Sequence, residues 1–333
     1  MVKRKREKFN PEGPIIIDNN EIKIGESQTF KIIVGRTPSD NQITIMTHVF
    51  RSENPGPTLL ILGGVHGDEI NGVEIVNQLI LEDHFKHLNK GSVIAIPLLN
   101  VFGFNHLSRD VPDGKDVNRS FPGSSKGSLA ARVANTLTNK ILPFVDYAID
   151  CHTGGSARYN HPQVRVTKNI PEVLELAKVF AAPYTIESTT IPKSFRRIAK
   201  DLEIPTIVYE GGESIRLCGF SIHKGKEGIK RVMEHLELKQ KDDENEITGT
   251  TIIHKSRWIR AAQAGIFIWS KSSGHFVTKG EPIGIIKNPY GTKYITVFSK
   301  FDGHIIGHNN ASVVNQGDAL FHIGLVDQVY EGF

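Results

Sequence analysis

The stretch Thr58-Leu59-Leu60-Ile61-Leu62-Gly63-Gly64-Val65-His66-Gly67-Asp68-Glu69 opens with an unbroken apolar run and ends in glycines, an imidazole and a carboxylate. An apolar run without polar alternation is the pattern of a strand buried on both faces. Val73, Val76, Leu79, Ile80 and Leu81 then recur at roughly helical spacing, so the strand gives way to a helix. The rhythm continues downstream. Ser92–Pro97, Asp146–Asp150 and Thr206–Tyr209 have strand character, and Leu129–Leu142 and Glu172–Phe180 have helical character. Strands alternating with helices predict a three-layer α/β domain with a parallel or mixed sheet.

On either side the pattern changes. Residues 14–54 contain short alternating strands such as Phe30–Val34 and Ile43–Thr47, separated by turn clusters including Pro38-Ser39-Asp40-Asn41. Leu236–Glu246 is a charged, solvated run, and Ile247–Thr250 has linker composition. Beyond it, helical periodicity stops and glycines punctuate short β-rich segments such as Ile266–Trp269. The expected organisation is a basic tail over 1–13, leading strands over 14–54, the α/β domain over 55–246, and a small all-β barrel or sandwich over 247–333.

The chain has 333 residues, enough for one large domain or two ordinary ones. Its net charge of +4 resides in residues 3–8, which hold five basic side chains and one acidic one, so residues 9–333 sum to zero. A body without net charge speaks against a nucleic-acid surface, because phosphate affinity needs many clustered cations. The basic tip reads as a solvated, disordered tail. Two cysteines, Cys151 and Cys218, cannot make a disulfide framework or a four-cysteine zinc site, and a reducing cytoplasm is the expected compartment. No apolar run approaches the ~18–20 residues of a spanning helix, and no apolar stretch follows the basic N-terminus, so neither membrane anchor nor secretory signal is expected. A closed homo-oligomer is compatible with the chain, as the common form of soluble assembly.

Sites in open α/β sheets gather at the carboxyl ends of strands. Three such ends carry unusual residues: His66 with Glu69, His152 in Asp150-Cys151-His152-Thr153-Gly154-Gly155, and Glu210 in Tyr209-Glu210-Gly211-Gly212. Two histidines and a carboxylate are the usual protein ligands of a hydrolytic zinc site with one position open for water. On spacing alone the bland alternative stands beside it, since residues three apart on a helix meet routinely and 14 histidines give many chances. A phosphate loop does not fit, because no Gly-Lys-Ser/Thr and no Gly-x-Gly-x-x-Gly follows a strand. Asp150 and His152, read as neighbours on a strand, would point to opposite faces, so Asp150 is not expected to orient the imidazole. Asn118-Arg119, after Arg109 and Asp116, offers planar donors able to grip a carboxylate, or else a solvated loop pair.

Taken together and in this order, Gly-Gly-Val-His66-Gly-Asp-Glu69, Asp-Val-Asn118-Arg119-Ser-Phe-Pro-Gly, Asp-Cys-His152-Thr-Gly-Gly and Tyr-Glu210-Gly-Gly resemble the succinylglutamate desuccinylase/aspartoacylase family, within the zinc carboxypeptidase-like fold. The likeness is greatest to its N-acyl amino acid deacylase-type members and covers roughly residues 45–235. Residues 255–325, with Trp258-Ile259-Arg260-Ala261, look like the β-domain that follows in many members.

The resemblance implies that His66, Glu69 and His152 hold one Zn²⁺ per chain, and that Glu210 is the general base. It implies that Asn118 and Arg119 bind the substrate carboxylate. Arg109 is similar, at looser spacing, to the arginine that polarises the scissile carbonyl. Cys151 replaces a more common apolar residue and is expected to pack rather than ligate. The implied activity is hydrolysis of the amide of an N-acylated amino acid or similar small amide. A zinc carboxypeptidase acting on short peptides and a catalytically inactive metal-binding interaction protein are the alternatives. Arg158, Arg165, Lys193, Arg196 and Arg197 are the candidates for a second anionic contact.

Overall fold

A computed structural model describes residues 9–241 and 249–326. The basic run Lys3–Lys8, residues 242–246 of the charged segment and residues 247–248 of the linker lie outside them. A hairpin of β1 (Ile15–Ile17) and β2 (Asn20–Ile22) precedes two long antiparallel strands, β3 (Ser27–Arg36) and β4 (Gln42–Arg51). Burial alternates along β3 and much of β4, as it must in a sheet margin with one face on the core. β5 (Thr58–Gly63) and β6 (Ser92–Ile96) are buried at every position and run parallel, with β7 (Tyr147–Gly154) on the other side of β5. After β8 (Arg158–Thr167) and β9 (Tyr184–Ser188), β10 (Thr206–Glu213) inserts parallel to β7 and antiparallel to β8. The mixed sheet and its layers are those expected from the alternating pattern.

Among the described residues six α-helices cover the sheet: α1 (Ile70–Leu81), α2 (Val101–Asn105), α3 (Leu129–Thr136), α4 (Pro171–Phe180), α5 (Phe195–Asp201) and α6 (Gly219–His235). Side chains of β5 show the three layers directly. Leu60 and Leu62 enter a core shared with α3 and α5, whereas Leu59 and Ile61 enter a second core shared with α1, α4 and α6. Two differences from expectation are local. The α-helix beginning at Leu129 ends at Thr136 and continues as a single wide turn over Leu137–Ile141. The long α6 was not foreseen, because its glycines and charges blur an apolar stripe. Gly228 has a packing reason: a Cβ there would meet the Phe180 ring at 2.2 Å, so the ring on α4 lies directly on the backbone of α6.

The C-terminal segment joins this sheet. β11 (Thr251–Ile253) pairs with β9, while β12 (Ser256–Arg260) begins an arm continued by later strands. β13 (Gly265–Trp269), β14 (Phe276–Val277), β15 (Pro282–Lys287), β16 (Tyr294–Phe298), β17 (Gly303–Asn309), β18 (Val313–Val314) and β19 (Ala319–Leu325) follow. β16-β15-β13-β18 form a separate small sheet, but β12-β19-β17 extend the main one through β8, giving the order β12-β19-β17-β8-β10-β7-β5-β6-β4-β3. The β-rich region has its own core around Phe267, Ile286, Ile305 and Phe321. Among the described residues no helix is long and apolar enough to cross a membrane.

Candidate metal centre and its pocket

β5 and β7 are parallel neighbours with Gly63 opposite Cys151, so the turn after β5 lies beside the end of β7. α1 leaves that turn almost touching β7: a Cβ on Gly72 would meet the Cys151 carbonyl oxygen at 2.3 Å. Glycine therefore lets the helix descend until His66 and Glu69 face His152. Glu69 Oε1 is 2.8 Å from His66 Nδ1, Glu69 Oε2 is 2.7 Å from His152 Nδ1, and the two Nδ1 atoms are 3.2 Å apart. Among the described residues these three form a group whose ligand atoms could hold one metal ion, and all three are buried.

The outer ring atoms decide what the inner ones offer. His152 Nε2 lies 2.8 Å from Asp150 Oδ2, and His66 Nε2 makes a looser contact, 3.3 Å, with Asp116 Oδ1. A carboxylate accepts, so with a metal bound each imidazole would keep its hydrogen on Nε2 and turn its Nδ1 lone pair inward. Two lone pairs and a carboxylate facing one another need a cation between them. Ligands held at ~2.0–2.1 Å in a tetrahedron lie roughly 3.3 Å apart, which the two Nδ1 atoms match while Glu69 stands closer to both, and the His₂Glu donor set suits zinc. The residues fit the metal.

Without a metal, a proton takes the cation's place between Glu69 and the imidazoles. Burial opposes ionisation of Glu69, yet His66 and His152 hold it well below the ordinary carboxylate range. Burial likewise opposes a charged His152, but Asp150 and Glu69 push it well above the ordinary histidine value. Asp116, despite burial, is held far down by His66 and Arg109.

Asp150 is thus the partner of His152, against expectation. The two are separated by two positions, not one, and residues two apart on a strand share a face. Cys151, the residue between, points the other way into the second core with Ile75 and Tyr209, and burial pushes its thiol up. It packs, as expected.

A cavity of about 330 Å³ opens over the three residues. Glu210 sits on its wall, in register with His152 on the neighbouring parallel strand, so both side chains project from the same face. Its partners are Arg165, with Nε 2.9 Å from Oε1, and Asn160, whose amide donates to Oε2. Arg216, six residues on, lies 3.9 Å from Glu213 rather than on Glu210.

Arg109 enters the cavity with Nη1 3.3 Å from Glu69 Oε1, braced by Asp116 Oδ2 at 3.0 Å from Nη2. Arg119 also lines it, loosely tied to Asp116 at 3.9 Å. Asn118 lines it while its Oδ1 accepts from the Phe195 backbone N–H and caps α5. Of the five cations considered for a second anionic contact, Arg158, Arg165 and Arg196 reach the cavity. Lys193 faces another hollow and Arg197 pairs with Asp201.

Residues 55–236, more than half of the chain, match the succinylglutamate desuccinylase/aspartoacylase catalytic domain. The chain belongs to the succinylglutamate desuccinylase/aspartoacylase family. It is 27% identical over 293 residues, 83% of either chain, to the N-alpha-acetyl-L-2,4-diaminobutyric acid deacetylase of Halomonas elongata. It superposes with a TM-score of 0.79 on the succinylglutamate desuccinylase/aspartoacylase of Rhodobacter sphaeroides, at 26% identity over 89% of this chain and 95% of that one. The product-bound ectoine utilization protein EutE (DoeB) of Ruegeria pomeroyi gives a TM-score of 0.81 over 96% and 100% of the two chains, with 22% identity, and shares the fold.

Within this family member, four site residues escaped sequence reasoning. Asp150 was set aside by miscounting alternation. Asp116 was seen only as a loop ion-pair partner, although it braces Arg109 and reaches His66. Asn160 carries no local signal, because its role arises from the pairing of β8 with β10. Trp258 belongs to the C-terminal β region, yet it lines the cavity from β12, stacked on His322 with ring centroids 4.2 Å apart.

Proposed function

We propose that this chain is a zinc-dependent deacylase that hydrolyses the amide bond of a small N-acylated amino acid bearing a carboxylate. The family and the named activity of the Halomonas relative support a hydrolase of amides. The observation that carries the finer reading is the placement of Glu210 beside His152 in register, on the wall of the cavity that holds His66 and Glu69.

Zinc, held by His66 Nδ1, Glu69 and His152 Nδ1, would supply a Lewis acid and bring the pKa of water from ~15.7 toward 7. The chain's own residues do the rest. Glu210 takes a proton from the attacking water as its oxygen bonds the carbonyl carbon. It returns that proton to the amide nitrogen as the C–N bond breaks, releasing a carboxylic acid and an amine. Arg109, fixed by Asp116 and Glu69, presents its guanidinium where the carbonyl oxygen gathers charge. Arg119 binds the substrate carboxylate, with Asn118 beside it.

Charge balance supports an anionic substrate. Arg109 and Arg165 face carboxylates, whereas Arg196 and Arg158 are met by backbone carbonyls and, for Arg196, a hydroxyl. The cavity is left with positive charge that a carboxylate would neutralise. The volume suits a small ligand rather than a peptide.

Glu210→Gln tests the reading. It should keep its zinc, melting temperature and most of its affinity, and lose about 10²–10⁴-fold in kcat, measured as amine release from a panel of N-acetyl amino acids that includes Nα-acetyl-L-2,4-diaminobutyrate. Normal turnover by Gln on a compound the wild type hydrolyses would reject Glu210 as the base.

A further inference from the structure

We infer that Arg165 and Asn160 are positioning residues for Glu210: they hold both oxygens of the base from one neighbouring strand, and the C-terminal β region backs that grip. The inference rests on the deacylase reading and adds to it a working part that the catalytic motifs do not contain.

The grip is built by strand register. On β8, which runs antiparallel to β10, Gln163 faces Glu210, Arg165 faces Val208 and Asn160 faces Gly212 across a register shift. Arg165 and Asn160 therefore approach Glu210 diagonally from its two sides, a distance that long side chains span. Arg165 forms an ion pair with Oε1, its Nε 2.9 Å away without hydrogen-bond alignment, and the Asn160 amide donates to Oε2. A carboxylate engaged at one oxygen can still swing about its terminal torsion, which is broad and two-fold. A hydrogen bond at one oxygen and an ion pair at the other restrict that freedom and hold the carboxylate in one orientation. A base that must meet water beside His152 gains from being held so, because misplacement by ~1 Å can cost 10²-fold.

Support for the grip comes from outside the catalytic region. Gly307 on β17 is the register partner of Asn160, and a Cβ there would lie 2.9 Å from Asn160 Oδ1. The C-terminal strand thus lies against the back of the amide. The arrangement is also a poor choice for stability alone. Arg165 and Glu210 are 26% and 18% exposed, so their attraction is partly screened. Arg165 further stands near Arg196, whose guanidinium is brought down to about 10 by burial and then by Arg165. Crowding two cations around one carboxylate makes sense where the carboxylate has to be held.

The test is a double-mutant cycle on the zinc-loaded full chain, using the best substrate of the N-acetyl amino acid panel. Arg165→Met should lower kcat about 10–100-fold, the usual cost of losing a residue that orients an active group. KM, zinc content and melting temperature should stay near wild type, and Arg165→Lys should recover part of the loss. In a Glu210→Gln background the same Arg165→Met change should alter kcat by no more than roughly twofold, because a residue acting through Glu210 has nothing left to position. Asn160→Ala should behave likewise, and Gly307→Ala should give a smaller loss of the same kind. Equal losses in both backgrounds would overturn the inference, as would a raised KM with unchanged kcat, which would make Arg165 a substrate contact. Glu210→Gln with normal kcat would instead refute the deacylase mechanism and this inference with it. Dead Glu210→Gln beside a fully active Arg165→Met would refute the inference alone.

Discussion

Asp150→Asn should weaken zinc binding by about 10–100-fold without unfolding the chain, the range expected when a histidine ligand loses its outer carboxylate. The magnitude follows from the contacts. Asp150 is 1% exposed, its Oδ2 sits 2.8 Å from His152 Nε2, and its Oδ1 has no hydrogen-bond partner among the described residues. Asparagine can keep the contact only by turning its single oxygen toward Nε2. The imidazole then loses a charged acceptor and becomes a poorer donor to the metal, which accounts for about 1.4–2.7 kcal/mol. The amide Nδ2 must meanwhile occupy the unpartnered position of Oδ1, a buried donor without an acceptor, at about 1–3 kcal/mol of stability. The opposite rotamer would donate to Nε2, drive the ring proton onto Nδ1 and remove the ligand lone pair, so its loss of affinity would exceed the range. Competition of metal-depleted protein against a fluorescent zinc chelator reads the affinity, and a melting curve of the metal-free form separates the stability cost. Zinc affinity within about twofold of wild type, in a folded variant, would refute the assignment of His152 Nδ1 as a ligand.

Two further outcomes bear on the same centre. Chelation should remove activity and leave the metal-free chain folded, because the three residues hang on a sheet with two large apolar cores, unlike a domain whose fold is carried by zinc; cooperative unfolding on addition of chelator would contradict this. Arg119→Ala should lower kcat/KM for carboxylate-bearing amides by about 30-fold, or ~2 kcal/mol, the low end for a lost charged contact because the side chain is 42% exposed. Neutral analogues should be spared, and an equal loss on both would remove Arg119 from substrate binding.

How much was legible beforehand depended on how local each feature is. The buried run Thr58–Leu62 and the helix after it are local patterns, and both stand where expected. His66, Glu69, His152 and Glu210 were found because each sits at a strand end beside glycines, and the fold brings them to one cavity. α6 and β8 were hidden for different reasons. The stripe of α6 is interrupted by Gly225 and Gly228, which serve close packing. β8 carries Arg158, Asn160 and Arg165, polar residues uncommon in a central strand until one sees the cavity they face. Its polarity was the signal, and it was read only as a set of unplaced cations. The C-terminal strands were recognised as β-structure, but their continuation of the main sheet through β17 and β8 depends on pairing between segments some 150 residues apart, as Gly307 with Asn160 shows.

Strand alternation also explains why chemistry and packing do not interfere at the centre. On β7, Asp150 and His152 face the cavity, while Ile149 and Cys151 enter the apolar core. On β10, Val208 and Glu210 face the cavity, while Ile207 and Tyr209 enter that same core. The two strands are parallel and in register, so a period of two on each places Asp150, His152 and Glu210 on one side of a single plane. A one-residue slip of β10 against β7 would exchange Glu210 for Tyr209, burying a carboxylate among apolar side chains at a cost of several kcal/mol. The register is held from both sides: the Tyr209 hydroxyl donates to the Ser221 carbonyl oxygen at 2.6 Å, and Glu210 meets Arg165 and Asn160 across the sheet. The contacts that fix the base in place therefore also fix the strand on which it stands, and the geometry around His152 is tied to the packing of a core that contains no catalytic atom.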